Sequence, residues 1–207
     1  MAENRPDYQI ENGSVPGMRF ALKRTRVARF TLANGCQAQW EGIESGITVL
    51  VLGLTRKGNL VLVRLFRYMV EDWVYEMPGG CAEAGEGFLA ASLREFCEET
   101  GYAAEKVVPL GWTYLDNGVH NGRGIIFLAT GCHKVADVEL DRVEAHAQLR
   151  VEEVPLLTVL RNLRDGHPEF TDPNLGDAIL KGLMHLPKWQ LISLLGRSLL
   201  THLRSFL

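Results

Sequence analysis

The hydrophobic pattern of the chain is strand-like from residue 18 to about 80, helical from about 87 to 100, strand-like again to 155 and helical beyond. Residues 18–32 (MRFALKRTRVARFTL) alternate basic with apolar or β-branched side chains, which predicts an edge or two-sided strand. Asn34–Gly35 is a hairpin signal, and CQAQWEGI (36–43) is its returning strand. GITVLVLGL (46–54) and NLVLVRLFRY (59–68) are β-rich runs joined by Thr55–Arg56–Lys57–Gly58. WVYEMPGG (73–80) predicts a short strand stopped by Pro78 and two glycines. The helix over about 87–100 ends at Gly101, placed as its C-terminal cap. VVPLGWTYL (107–115), GIIFLATG (124–131) and QLRVEEVP (148–155) predict further strands, with a loop over 116–123 and a polar loop, DVELDRVEAHA (137–147). LLTVLRNLRDG (156–166) has helical periodicity and a glycine stop, and Asp172–Pro173 opens another helix.

Strands, one central helix, more strands and then helices suit an α/β (α+β) fold, a mixed β-sheet sandwiched between helices. The length, 207 residues, predicts one domain with at most a small appended element, and 46% hydrophobic residues suffice for its core. A net charge of −3 gives no general attraction to nucleic acid. The opening MAENRPDYQIENGS lacks an apolar secretory core, and the apolar runs are too short to span a bilayer, so a cytoplasmic location is expected. Cys36, Cys81, Cys97 and Cys132 lack metal-ligand spacing and are expected as free, small apolar fillers.

Chemistry enters through the central helix. Glu95, Glu98 and Glu99 fall at i, i+3 and i+4, so three carboxylates share one face. Like charges at that spacing weaken a helix, and a hard divalent cation beside phosphate relieves them. The bland alternative is a solvated acidic helix with a glycine stop.

Residues 80–102 also match a longer pattern, G-x5-E-x7-R-E-U-x-E-E-x-G-U with U bulky and apolar, in Gly80, Glu86, Arg94, Glu95, Glu98, Glu99 and Gly101. This resembles the Nudix box, with Phe96 and Tyr102 standing where that family usually has Ile, Leu or Val. The resemblance covers roughly residues 45–165 and, through the WVYEMPGG entry and the N-terminal strands, is closest in kind to the ADP-ribose pyrophosphatase branch. It implies the Nudix fold with an extra N-terminal antiparallel sheet. The implied activity is hydrolysis of the pyrophosphate bond of a nucleoside diphosphate linked to another moiety, using Mg²⁺, with Mn²⁺ able to substitute. ADP-ribose or another nucleoside-diphosphate sugar is the expected small-molecule substrate.

Position by position, the resemblance implies Glu95, Glu98, Glu99 and the Gly79 carbonyl as metal ligands, with Glu98, Glu99 and Arg94 in the catalytic set. Arg94 and Glu86 are expected to pair and brace the loop against the helix. Arg67, in RLFR where the branch has R-Q-x-R, is expected to contact phosphate, and Glu76 to contact substrate or metal. The branch takes its general base from a mobile loop after the strand equivalent to GIIFLATG. Here that loop offers Glu144, the preferred choice, and Glu139. The branch also carries a proline about sixteen residues after the box, where this chain has Asn117 and Gly118. The donors Asn117, His120, Asn121 and Arg123 in that loop suit a different sugar or terminal group.

Three divisions are expected: residues 1–44 as a dimerisation sheet, 45–180 as the hydrolase domain and 181–207 as an amphipathic, basic helical extension. That extension suits packing on the domain or a second subunit more than contact with an anionic membrane surface. A homodimer is expected from the N-terminal sheet. Two other readings stay open: a Nudix hydrolase of a dinucleotide or coenzyme A-type substrate, and a catalytically silent domain that senses a nucleotide.

Overall fold

The protein is described here by a computed structural model, which defines residues 24–187 and the single position 196. The expected strand start at residue 18 and the apolar stripe after Pro187 lie outside the described residues. Strands β1 (Arg24–Thr31) and β2 (Gln37–Glu44) form an antiparallel pair in register from Arg24↔Glu44 to Thr31↔Gln37. Gly35, at φ 83°, makes the turn, a conformation that costs a glycine little.

The remaining strands form one mixed, eight-stranded sheet. They are β3 (Ile47–Thr55), β4 (Asn59–Arg67), β5 (Asp72–Glu76), β6 (Gly79–Cys81), β7 (Tyr102–Ala103), β8 (Lys106–Tyr114), β9 (Arg123–Lys134) and β10 (Arg150–Pro155). The path runs β10-β4-β3-β9-β7, while β5 joins β4, β6 joins β3 and β8 joins β9. Only the β3–β9 pairing is parallel among these, from Ile47↔Arg123 onward. The helices are α1 (Phe88–Thr100), α2 (Arg142–His146), α3 (Leu156–Asp165) and α4 (Pro173–His185). Helix α4 runs unbroken through residues 180 and 181, where the C-terminal extension was expected to begin.

Period-two alternation separates the two faces of the sheet. Val51 and Val61 pack under α1 with Phe96, Ala129 and Cys132. Their neighbours Leu52, Leu60 and Leu62 face the other way, against Leu156 and Val159 of α3 and Leu175 and Ile179 of α4. Phe96, the unusual aromatic in the box, is 1% exposed, and Gly53 makes room for it. A Cβ on Gly53 would lie 2.8 Å from the Phe96 ring. Gly53→Ala is therefore expected to lower stability by about 1–3 kcal/mol through overpacking, read by urea denaturation. Phe96→Leu in the same chain should recover part of that loss. If it deepens the loss instead, the two residues are not matched in this way.

Two local features go beyond the sequence reading. Strand β5 ends at Glu76, before Pro78, and Gly79–Cys81 then forms a separate strand, β6, aligned Thr48↔Cys81 to Leu50↔Gly79. A Cβ at Gly79 would meet the Val49 carbonyl oxygen at 2.0 Å, so glycine there serves the approach of two backbones. Residues 137–147 are not a plain loop, because they contain α2.

Candidate active site

Helix α1 starts at Gly87 without a side-chain cap and ends at Gly101, whose φ of 71° lets its N–H reach the Cys97 carbonyl at 2.7 Å. Its acidic face is organised by Arg94. The guanidinium donates to both Glu86 oxygens, at 3.0 and 2.9 Å, and so ties the loop before the helix to the helix itself. Its Nη1 also donates to Glu95 and to Glu98, each at 3.0 Å. The Arg94 hydrogen bonds hold the Glu86 carboxyl down to about 2, helped by the Glu83 N–H. The same bonds, from Glu86 first, raise Arg94.

Glu99 is the buried member of the set, 8% exposed, and its Oε2 accepts from the Gly79 N–H at 2.8 Å. Burial pushes its carboxyl up to about 8, and the carboxylates of Glu144 and Glu95 add to that, against the Gly79 N–H and Arg67. Burial likewise raises Glu95, against its hydrogen bond from Arg94. A Cβ at Gly80 would come within 2.4 Å of the Glu95 carboxylate, so this glycine is the floor on which that side chain rests.

A cleft of ≈ 580 Å³ opens beside these groups, lined by Gly79–Ala84, Arg94, Glu95, Asp141 and Glu144. Of the two candidate bases, Glu144 lines the cleft. Glu139 is exposed and does not, although its backbone N–H donates to the Glu98 carbonyl at 2.7 Å. Glu144 sits on α2 rather than on an unstructured loop. Asp141 caps that helix, and Glu144 returns a bond to the cap residue.

Arg67 ends β4 and pairs in a two-pronged fashion with Glu76 of β5, Nε to Oε1 at 2.7 Å and Nη2 to Oε2. The Glu76 hydrogen bond raises Arg67. Sequence reading did not place Asp172 here. Its burial pushes the carboxyl up to about 6, with Glu76 raising it further and the Asn174 N–H and Arg67 opposing. The Asp–Pro signal did reveal its other task, capping α4 through the Asn174 N–H at 2.9 Å.

The loop over 116–123 is bound to the N-terminal hairpin. Ile43 donates to the Val119 carbonyl at 2.7 Å and accepts from the Asn121 N–H at 3.0 Å, while Trp40 Nε1 donates to the Gly118 carbonyl at 2.9 Å. Asn121 Oδ1 accepts from the Ser45 N–H at 3.1 Å. One of the polar groups expected to meet substrate is therefore taken up by β2 and its continuation. A cavity of ≈ 160 Å³ lies between the two, lined by Ala28, Trp40, Gly42, Ile43 and residues 117–121.

The chemistry of this donor set fits a hard divalent cation: crowded carboxylates, one of them with its charge disfavoured by burial. The geometry is not yet gathered, since among the described residues no three acidic, His or Cys side chains converge on one point. The Arg94 fork holds the Glu95 and Glu98 oxygens that would have to turn toward an ion.

The NUDIX domain family matches residues 44–172, and the chain belongs to the Nudix family. Within it the likeness is to the ADP-ribose pyrophosphatase branch. An ADP-ribose pyrophosphatase of Bacillus subtilis (strain 168) is 35% identical over 98 residues, covering 47% of this chain and 53% of that protein. One of Saccharomyces cerevisiae (strain ATCC 204508 / S288c) is 32% identical over 100 residues, covering 42% and 43%. The chain thus matches about half the length of these relatives. The fold is shared with a crystal structure titled as an ADP compounds hydrolase, at a TM-score of 0.66 and 17% identity, over 87% of this chain and 94% of that one. Nudix hydrolases generally use divalent metal ions. No helix among the described residues is long and apolar enough to cross a membrane.

Proposed function

We propose that this protein hydrolyses the pyrophosphate bond of a nucleoside diphosphate linked to another moiety, with Mg²⁺ as cofactor and Mn²⁺ able to substitute. ADP-ribose or another nucleoside-diphosphate sugar is the substrate proposed, in a cytoplasmic homodimer. The observation that carries this reading is Glu99, buried against Gly79 beside a cleft that Glu144 lines. A divalent ion bound there supplies charge neutralisation for phosphate and activation of water.

The chain's own residues then take distinct parts. Glu95, Glu98, Glu99 and the Gly79 carbonyl hold the ion. Arg94 keeps the loop and helix together and releases Glu95 and Glu98 to it. Arg67, half-exposed beside Glu76, turns its fork to a phosphate oxyanion. Glu144 accepts a proton from the attacking water, which requires hydrogen-bond reach before it requires any particular pKa. The loop over 116–123 lacks the branch's proline and is tied to β2, which keeps a dinucleotide or coenzyme A-type substrate as the second reading. A substrate panel with Mg²⁺, scored by phosphate-containing products, separates the two, and no turnover of any member would leave only nucleotide sensing.

Glu144→Gln is expected to lower kcat more than it raises KM, because the group acts mainly in the transition state, whereas Glu139→Gln should be mild. Reversed results would assign the base to Glu139.

Stability should report the ion as well. Burial lifts the Glu99 carboxyl to about 8 in the folded state, well above the 4.5 of an ordinary glutamate. Between those pH values the unfolded chain releases a proton that the folded chain retains, so metal-free stability falls as pH rises. The full penalty, on the order of a few kcal/mol, is present above about pH 8. Mg²⁺ should therefore raise the Tm more at pH 8.5 than at pH 5. A gain that is equal or larger at pH 5 would contradict a site at Glu99.

A further inference from the structure

Helix α2 has only five residues, too few to persist on their own, since one helical turn fixes several dihedrals for a single bond. It is held at both ends. The Ala147 carbonyl accepts from the Phe66 N–H at 3.0 Å, and Ala147 and Leu149 are buried against Val63 and Leu65. At the start, Asp141 Oδ1 accepts from the Val143 N–H at 2.7 Å and the Glu144 N–H at 2.8 Å. The third bond closes the ring: the Asp141 N–H donates to Glu144 Oε2 at 2.8 Å. The side chain proposed as the base is thus fixed at its backbone and at one carboxylate oxygen by the same residue. With Oε2 committed to Asp141, Oε1 is left to accept from water in the cleft that both residues line.

We infer that Asp141 is a positioning residue for hydrolysis, acting through Glu144 by the reciprocal cap of α2. The inference rests on Glu144 as the base. A carboxylate swinging freely on its two distal torsions would spend only part of its time within reach of the attacking water. Misplacement of a reacting group by about 1 Å can cost a large factor in rate. The cap removes that freedom. Asp141 needs no contact with substrate or metal for this task, only acceptor atoms at the cap position and its own N–H.

The test is a set of variants in the full chain. Asp141→Ala removes the acceptors and should lower kcat about 10-fold with KM nearly unchanged. Asp141→Ser, which still caps but carries no carboxylate, should restore most of the rate. Amide exchange at Val143 and Glu144 should accelerate in the Ala variant and slow again in the Ser variant, with or without Mg²⁺. In a Glu144→Gln background, Asp141→Ala should change kcat less than about 2-fold, because the two act as one unit. A full 10-fold loss in that background, or a Ser variant as poor as the Ala variant, would overturn the inference and place Asp141 on the metal or substrate. If Asp141→Ala leaves kcat unchanged while Glu144→Gln lowers it, the positioning role fails and the base stands. If Glu144→Gln alone leaves kcat unchanged, the base reading fails and the inference falls with it.

Discussion

Glu99→Gln is expected to lower kcat at least ~100-fold, the scale lost when a group that stabilises transition-state charge is removed. Glutamine keeps the shape, and its carbonyl oxygen can still accept from the Gly79 N–H that Glu99 now uses at 2.8 Å. What disappears is a negative charge that burial, Glu144 and Glu95 already disfavour. The variant should therefore be no less stable than the parent without metal, and more stable above pH 8. Lost activity with undiminished stability is the signature of a ligand rather than a structural acid. Weaker Mg²⁺ binding by calorimetry should accompany it. Near-normal Mg²⁺-dependent turnover in Glu99→Gln would remove Glu99 from the site.

The distribution of what could be read from the sequence follows the range of the forces involved. Helical spacing put Glu95, Glu98 and Glu99 on one face and Gly101 at the helix end, since both are local consequences of 3.6 residues per turn. The order of strands and helices implied a sheet sandwiched between helices, and the structure sets Val51 and Val61 on the α1 face and Leu52 and Leu60 on the other. Strand β6 escaped because three residues with two glycines carry no β signal of their own. Their pairing with Thr48–Leu50 supplies it. Helix α2 was hidden by its brevity, although Asp141–Arg142–Val143–Glu144 is a capping-box spacing that could have been recognised. Nothing in the sequence places Asp172 near Arg67 and Glu76. That neighbourhood depends on how loop 166–172 crosses the sheet, where Arg64 grips Glu169 at 2.7 and 2.9 Å and Tyr75 stacks on Phe170 at 4.4 Å.

Deletion of residues 1–42 is expected to abolish activity although it leaves every residue of the Nudix box in place. Two independent losses lead there. The first is internal: Trp40 no longer bonds the Gly118 carbonyl, and the strand preceding Ile43 is gone, so the loop over 116–123 loses the wall that shapes it. The second concerns assembly. Val27 and Phe30 are 43% exposed and Trp40 is 61% exposed, all on a two-stranded sheet with no further strand among the described residues, and Leu32 in its turn is 44% exposed. The β2 side of this hairpin meets the loop over 116–123, but β1 has no further strand beside it among the described residues, an open edge that a second copy of the same sheet can cover. A two-fold pairing is the commonest way for identical chains to do so. Sedimentation should then find a dimer for the full chain and a monomer for the truncation, with the folded eight-stranded sheet retained by circular dichroism. Trp40→Ala separates the two losses: it should impair turnover more than it shifts the dimer equilibrium, because its indole N–H reaches the loop within its own chain. A full-length protein that is monomeric and fully active at nanomolar concentration would exclude a shared site. A truncation that stays monomeric, folded and active would show that neither the hairpin nor a partner contributes to the reaction.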